Sequence, residues 1–240
     1  MILGVIPARL NSTRFPSKVI FNLKGKPIIE HVYDKAVQSN LLNKVIVAVD
    51  SEETKNAINC RDVIMTSDKH QSGTDRVAEV ANKFDCDVIV NIQGDEPGID
   101  PLLIDQLITL FEDPSVEMAS IASTDLKEDD LNNDNVVKVN LGKENNAISF
   151  TRNNLNPELT YYRHIGIYAY RKNTLNLFTS LTQSDNEKKH RLEQLRALDN
   201  NIAIKLLISD FSHRSIDVKE DLKNYDCLLY TSPSPRDRLK

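Results

Sequence analysis

Two textures of apolar and polar residues alternate along the first half of the chain. Short runs rich in β-branched residues occupy 1–6, 44–49, 62–65 and 87–92, and each is continuous enough for a strand buried on both faces. Between them, 27–38, 52–58, 74–84 and 101–111 read as helices. Thr74 ahead of Val77, Ala78, Val80 and Ala81 is a polar start to an apolar stripe, and Asp100-Pro101 supplies an N-cap followed by proline at the first helical position. Repeated strand–helix units predict a parallel sheet covered on both faces.

Past residue 118 the texture changes. Residues 136–139, 147–151 and 161–170 read as longer strands separated by Asn- and Asp-rich turns with no helix between them, which predicts antiparallel pairing. The acidic, Asn-rich run 125–135 reads as an exposed loop. Leu192, Leu195 and Leu198 place one helix over 186–199, followed by a strand at 202–208 and a closing helix at 217–225. The expected organisation is one domain over 1–226, with a core at 1–117, a smaller part at 118–200 and a return to the core at 201–226. Residues 227–240 contain Thr-Ser-Pro-Ser-Pro-Arg-Asp-Arg without apolar periodicity, so a disordered or foreign tail is expected there.

Charge and composition narrow the function classes. Thirty Lys+Arg against 35 Asp+Glu give a formal net charge of −5, which argues against a nucleic-acid surface spread over the molecule while permitting a local anion site. Three cysteines without C-x-x-C spacing indicate neither a zinc site nor a disulfide framework, and hence a reducing compartment. No apolar run approaches the ~18–20 residues of a membrane span, and Met1 enters a strand without a basic leader. A cytoplasmic protein without a membrane partner is expected.

Chemistry concentrates in a few segments. Arg9, Arg14 and Lys18 follow the first apolar run and would leave the sheet at its carboxyl edge, where open α/β sheets bind ligands. Two guanidinium forks and an ammonium suit a triphosphate, although a solvated basic turn has the same composition. Asp95, in Asn91-Ile-Gln-Gly-Asp-Glu-Pro97 at the end of a strand, is placed to hold Mg2+, which takes one or two carboxylates along with substrate phosphates. Its candidate partner is Asp217, which reads equally as a helix N-cap. The turn Ser72-Gly73-Thr74, within 70–76, would offer backbone N–H groups and hydroxyls to a base or phosphate, or simply start a helix. Strand alternation sends Arg163 and His164 to opposite faces. Glu193 and Gln194 lie in an amphipathic helix whose default is a solvated face. His31, His190 and Cys60 receive no role.

Six blocks taken together resemble the 3-deoxy-manno-octulosonate cytidylyltransferase family: P-A-R-x-x-S-T-R-x-P-x-K at 7–18, H-x-S-G-T-D-R at 70–76, Q-G-D-E-P at 93–97, R-H-I-G-I-Y at 163–168, L-E-Q-L-R at 192–196 and I-D-x-x-E-D-L at 216–222. Their order and spacing match over roughly residues 1–225. The resemblance implies an α/β fold with a Rossmann-like, mostly parallel sheet of the nucleotide-diphospho-sugar transferase type, and a smaller antiparallel subdomain serving substrate binding and a homodimer contact. It implies that Arg9 and Lys18 bind the CTP phosphates, that Ser72 and Gly73 read the cytosine and ribose with Arg76 close by, and that Ser12, Arg14 and Gln93 also belong to the nucleotide site. Asp95 and Asp217 would hold Mg2+ and form the catalytic group with Lys18. Arg152, His164, Tyr168, Glu193 and Gln194 would line the acid-sugar site. The implied reaction transfers CMP from CTP to 3-deoxy-manno-octulosonate (Kdo) with release of pyrophosphate, for lipopolysaccharide precursor synthesis. Two other readings stay open: a related acceptor, 8-amino-Kdo or a sialic-acid-like sugar, and a CTP-binding module without turnover. Ser17-Lys18-Val19 stands where the family has Gly-Lys-Pro, and Ser215-Ile216-Asp217-Val218-Lys219 where it has Gly-Val-Asp-Thr-Pro.

Overall fold

In the computed structural model, which describes residues 1–10, 15–153, 155–212, 215–216, 219 and 221–222, the apolar opening run becomes a central strand of a nine-stranded sheet. Strand β1 (Ile2–Ala8) is followed by a small ribbon, β2 (Asn22–Leu23) with β3 (Lys26–Pro27), and then by α1 (Ile28–Ala36). The repeat continues through β4 (Lys44–Val49), α2 (Glu52–Asn56), β5 (Val63–Met65), α3 (Gly73–Ala81), β6 (Val88–Asn91) and α4 (Pro101–Thr109). These match the expected order, with ends moved by a few residues. Local chemistry sets the helix starts. Ser72 Oγ accepts from Asp75 N at 3.1 Å while Asp75 accepts from Ser72 N at 3.0 Å, a capping box that opens α3. Asp100 accepts from Leu102 N at 3.0 Å ahead of Pro101 in α4.

The second half contains β7 (Met118–Ser123), α5 (Glu128–Leu131), β8 (Lys138–Leu141), β9 (Ala147–Thr151), β10 (Tyr161–Arg171), α6 (Lys172–Ser180), α7 (Asp185–His190), α8 (Leu195–Asp199) and β11 (Ile204–Ser209). The central strand order is β11-β7-β10-β6-β1-β4-β5. Only β10 runs against its neighbours; β1, β4, β5 and β6 pair in parallel, as do β7 and β11. The sheet is therefore mostly parallel. The long strand β10 carries the antiparallel part, pairing at Tyr161–Arg163 with β8, which pairs in turn with β9. Residues 118–200 thus share one sheet with the core instead of folding beside it.

Alternation along the strands divides the core in two. Ile6 and Ala8 face a layer with Ile29, Val32, Ile104 and Leu107, while Leu3 and Val5 face one with Val77, Val80, Tyr170 and Phe178. Each large side chain fully buried this way contributes roughly 1.5–3 kcal/mol.

Three expectations change. The helix over 186–199 is two helices, α7 and α8, broken at Arg191, whose φ of 52° is left-handed; the 5→1-type closure of α7 at that residue outweighs the leucine spacing. The acidic run 125–135 contains the short helix α5, held to the sheet by Asp130 and Arg163 at 2.5 Å. Strand β7 and helix α6 went unread, because a run buried on every residue and a polar-started helix of nine residues carry weak periodicity. Of the closing helix at 217–225, Asp221 and Leu222 are helical; its other residues apart from Lys219, and the tail at 227–240, lie outside the described residues.

Candidate active site

A cavity of about 710 Å3 opens at the carboxyl ends of β1 and β6. Four segments wall it: Pro7 and Arg9 at the end of β1 with Lys18 beyond, the turn 70–73 before α3, Gln93-Gly94-Asp95 after β6, and the α7–α8 region through Lys188, Arg191 and Glu193. Gly94 suits this closeness, since a Cβ there would sit 3.1 Å from the carbonyl oxygen of Pro7 and press the two strand ends apart by a few tenths of an ångström.

Lys18 forms the floor. It is only 7% exposed, and its Nζ donates to Asp95 Oδ2 at 2.6 Å and to the Ile216 carbonyl at 2.8 Å. Ile216 N in turn donates to the Asp95 carbonyl at 3.0 Å. The loop carrying Lys18 is held by apolar packing of Phe15, Leu23, Ile28 and Ile216, and Ser17 takes a left-handed φ of 55° while its N–H donates to the Leu10 carbonyl at 3.1 Å. The structure therefore brings the expected phosphate lysine, the expected metal carboxylate and the residue preceding Asp217 to one point. Asp217, Ser12 and Arg14 lie outside the described residues, and among the described residues there is no group of three His, Cys, Asp or Glu able to hold a metal.

Arg76 lines the cavity but is engaged from behind. Its Nη2 meets Asp50 Oδ2 at 3.3 Å and its Nη1 donates to Thr66 Oγ1; burial lowers the guanidinium pKa and Asp50 opposes that. Asp50 Oδ1 also accepts from Leu10 N at 3.1 Å, so the pair fixes the base of the loop that follows β1. His70 is pinned to Glu79 at 2.7 Å. Ser72 Oγ accepts from Asp75 N in the α3 cap while its O–H remains a donor on the cavity side, so the exposed face of this turn is what a nucleoside would meet.

On the opposite wall, Thr74 Oγ1 donates to Glu193 Oε2 at 2.6 Å. Glu193 Oε1 is buried without a hydrogen bond, 3.7 Å from Arg196 Nη2. Burial raises the Glu193 carboxyl above its usual range, and Thr74, Ser72 and Arg196 only partly offset this. Such a carboxylate can accept from a hydroxyl entering the cavity.

The remaining expected sugar residues stand elsewhere. His164 is buried, with Ser120 Oγ at 2.9 Å and rings of Phe150 and Tyr168 at 4.9 and 5.5 Å. Tyr168 and Gln194 are buried, and Arg152 donates through Nη1 to the Asp134 carbonyl at 2.8 Å. None of these four lines the cavity, whereas Gln93 and Glu193 do. Arg163 points away from His164, toward Asp130 and the Asp125 carbonyl, as strand alternation requires. Gln183, Lys188 and Arg191 line the cavity without having been anticipated; the α7–α8 break that brings them there leaves no mark in the apolar pattern.

Comparison with known proteins agrees with this geometry. The chain matches the cytidylyltransferase family model over residues 3–206. It is 39% identical over 243 residues to a 3-deoxy-manno-octulosonate cytidylyltransferase of Pelobacter propionicus, covering 92% of this chain and 94% of that one. The Phocaeicola vulgatus protein of the same name is 41% identical over 95% and 96% of the two chains. A solved structure of CMP:2-keto-3-deoxy-manno-octonic acid synthetase complexed with CTP superposes with a TM-score of 0.88 at 33% identity, over 95% of this chain and 98% of that chain. A cytidylyltransferase of Leptospira borgpetersenii, 17% identical with a TM-score of 0.66, shares the fold.

Proposed function

The chain belongs to the 3-deoxy-manno-octulosonate cytidylyltransferase family, and from that premise we infer that its cavity holds CTP and Kdo side by side and transfers CMP to the sugar. The anomeric hydroxyl of Kdo attacks the α-phosphorus of CTP, the bond to the β-phosphate oxygen breaks, and pyrophosphate leaves. The observation that carries this reading is the convergence of Arg9, Lys18 and Asp95 on one floor at the carboxyl edge of the sheet.

Phosphoryl transfer of this kind depends on alignment and charge neutralisation more than on covalent help. Arg9 and Lys18 meet the triphosphate, and their charge counts most as negative charge builds on the departing pyrophosphate. The turn at Ser72-Gly73 receives the nucleoside, with Arg76 holding the neighbouring loop in place through Asp50. Gln93 stays with the nucleotide, and Glu193 meets the sugar from the α7–α8 side of the cavity.

The donor set suits Mg2+. Asp95 opens onto the cavity, and the backbone just before Asp217 is hydrogen-bonded to it, so two carboxylates and substrate oxygens could complete an octahedral shell. When bound, the ion would neutralise phosphate charge and ease loss of the sugar hydroxyl's proton. The antiparallel part, where Ile148 and Leu159 are exposed, is the face proposed for a homodimer. Free Cys60 and Cys86 accord with a cytoplasmic setting.

Pyrophosphate release from CTP, ATP, GTP and UTP against Kdo, 8-amino-Kdo and sialic acid tests the reading. Turnover is expected with CTP and Kdo, and only with a divalent metal. CTP binding without pyrophosphate release for any sugar would overturn it, and turnover undiminished in excess EDTA would remove the metal.

A further inference from the structure

We propose that Lys18 has a second role: in the nucleotide-free enzyme its ammonium occupies the cation position on Asp95, and it exchanges there with the divalent ion when CTP enters. The proposal rests on the reading that Asp95 holds the metal and Lys18 meets the triphosphate.

Three contacts define the device. Lys18 Nζ lies 2.6 Å from Asp95 Oδ2 and 2.8 Å from the Ile216 carbonyl, and Ile216 N reaches back to the Asp95 carbonyl at 3.0 Å. The ammonium thus ties the floor of the cavity to the segment that leads into Asp217. An ammonium and a divalent ion cannot share one carboxylate oxygen at contact distance without strong mutual repulsion in a partly dry site. One of them must therefore leave. Lysine is suited to be the one that moves, because its charge is compact and its four-carbon stem is flexible, unlike the rigid fork of an arginine.

The direction of exchange follows from where the displaced ammonium can go. Lys18 is 7% exposed, so moving it off Asp95 without a new partner would leave a largely buried charge unpaired. The triphosphate supplies that partner. Metal alone must displace Lys18 into nothing, whereas metal arriving with CTP offers the ammonium a phosphate oxygen as it takes the carboxylate. Metal and nucleotide are then linked reciprocally through one side chain.

The test measures Mn2+ binding to the nucleotide-free enzyme by calorimetry and electron paramagnetic resonance, alongside melting temperature. Wild-type enzyme should bind Mn2+ weakly alone and at least tenfold more tightly with a non-hydrolysable CTP analogue. Lys18→Met should bind Mn2+ at least tenfold more tightly than wild type in the absence of nucleotide, and Mn2+ should raise its melting temperature more than that of wild type. Asp95→Asn should abolish the gain in the Lys18→Met background. Lys18→Gln, smaller in perturbation, should show the same direction if Lys18→Met proves unstable. Equal Mn2+ affinity of wild type and both Lys18 variants without nucleotide would overturn the exchange while leaving the metal reading intact, provided Mn2+ still binds with the analogue. Absence of Mn2+ binding even with the analogue would overturn the metal reading itself and the exchange with it.

Discussion

Lys18 with Asp95 and Arg196 with Glu187 are two ion pairs at the same cavity, one on its floor and one behind its wall at Glu187, and they differ in almost every respect that matters. Arg196 holds Glu187 by two parallel bonds, Nε to Oε2 at 2.8 Å and Nη2 to Oε1 at 2.6 Å, with both side chains at most 6% exposed. The guanidinium also lies 4.8 Å over the Phe178 ring. Glu187 further closes the capping box of α7 with Ser184. Lys18 makes one contact to Asp95, whose side chain is 27% exposed on the cavity side. A carboxylate with both oxygens committed to a planar fork cannot change partners cheaply, whereas one held by a single point charge can. The Arg196–Glu187 pair builds the wall, and the Lys18–Asp95 pair is available for chemistry.

The comparison breaks most visibly at Asp95. Asp95→Asn should lower turnover by about a thousandfold, the scale of losing one preorganised charge at a reacting phosphate, while the amide oxygen still accepts from Lys18 and the melting temperature falls less than in Arg196→Met. A fall in melting temperature as large as that of Arg196→Met would place Asp95 with the wall.

Arg196→Met is the converse experiment. Removing one partner of a buried pair leaves the other uncompensated, at a cost of about 3–5 kcal/mol, or roughly 6–20 °C in melting temperature for a chain of this size. The double variant Arg196→Met/Glu187→Leu should recover much of that loss in a thermal melt. Failure to recover would mean that the α7 cap, and not the ion pair, carries the stability.

Glu193 stands between the two pairs and gives a smaller, pH-dependent effect. Burial raises its folded-state pKa above the usual 4.5, so the folded protein binds the proton more tightly than the unfolded chain. Its ionisation therefore costs stability above the folded pKa, and that cost disappears as pH falls through the folded value toward 4.5. Glu193→Gln, which can still accept from Thr74, should melt at or above wild type at neutral pH, with the gap closing on acidification. Melting curves from pH 4 to 8 check the sign, and a wild type more stable than the variant at pH 7 would reverse it.

The smallest effect belongs to the exposed rim. Lys188 and Arg191 line the cavity, and neither side chain forms an ion pair among the described residues. Lys188→Glu and Arg191→Glu should raise KM for the anionic substrates about threefold to tenfold at low ionic strength, by weakening electrostatic attraction to the mouth. The difference should shrink in high salt. Steady-state kinetics at two salt concentrations decide it, and a salt-independent change would point to direct contact.

Much of the first half was legible because its signals are local. A continuous β-branched run makes β1 and β4 wherever they end up, and Ser72 or Asp100 caps the helix that follows it by reaching residues two or three positions away. Candidate chemistry was legible in the same sense: Arg9 and Asp95 follow strand ends and Lys18 lies on the loop after the first, and strand ends of a parallel sheet meet on one edge. Glu193, by contrast, sits in a segment whose leucine spacing reads as one continuous helix. Nothing in that spacing announces the left-handed Arg191 at the break that leaves Lys188 and Glu193 on the cavity, Glu193 against Thr74.

What the sequence by itself determined was therefore an inventory, namely the strands and helices of the first half and which side chains could carry charge to a phosphate. Tertiary structure alone decided the partners. Strand β10 lies antiparallel between β6 and β7 and carries β8 and β9 with it, His164 turns into the core against Ser120, and Lys18 finds Asp95 and Ile216 at separations of 77 and 198 residues. Propensities and caps act over a few residues, whereas those pairings depend on closing long loops and filling one continuous core, an energy that no short window of sequence contains.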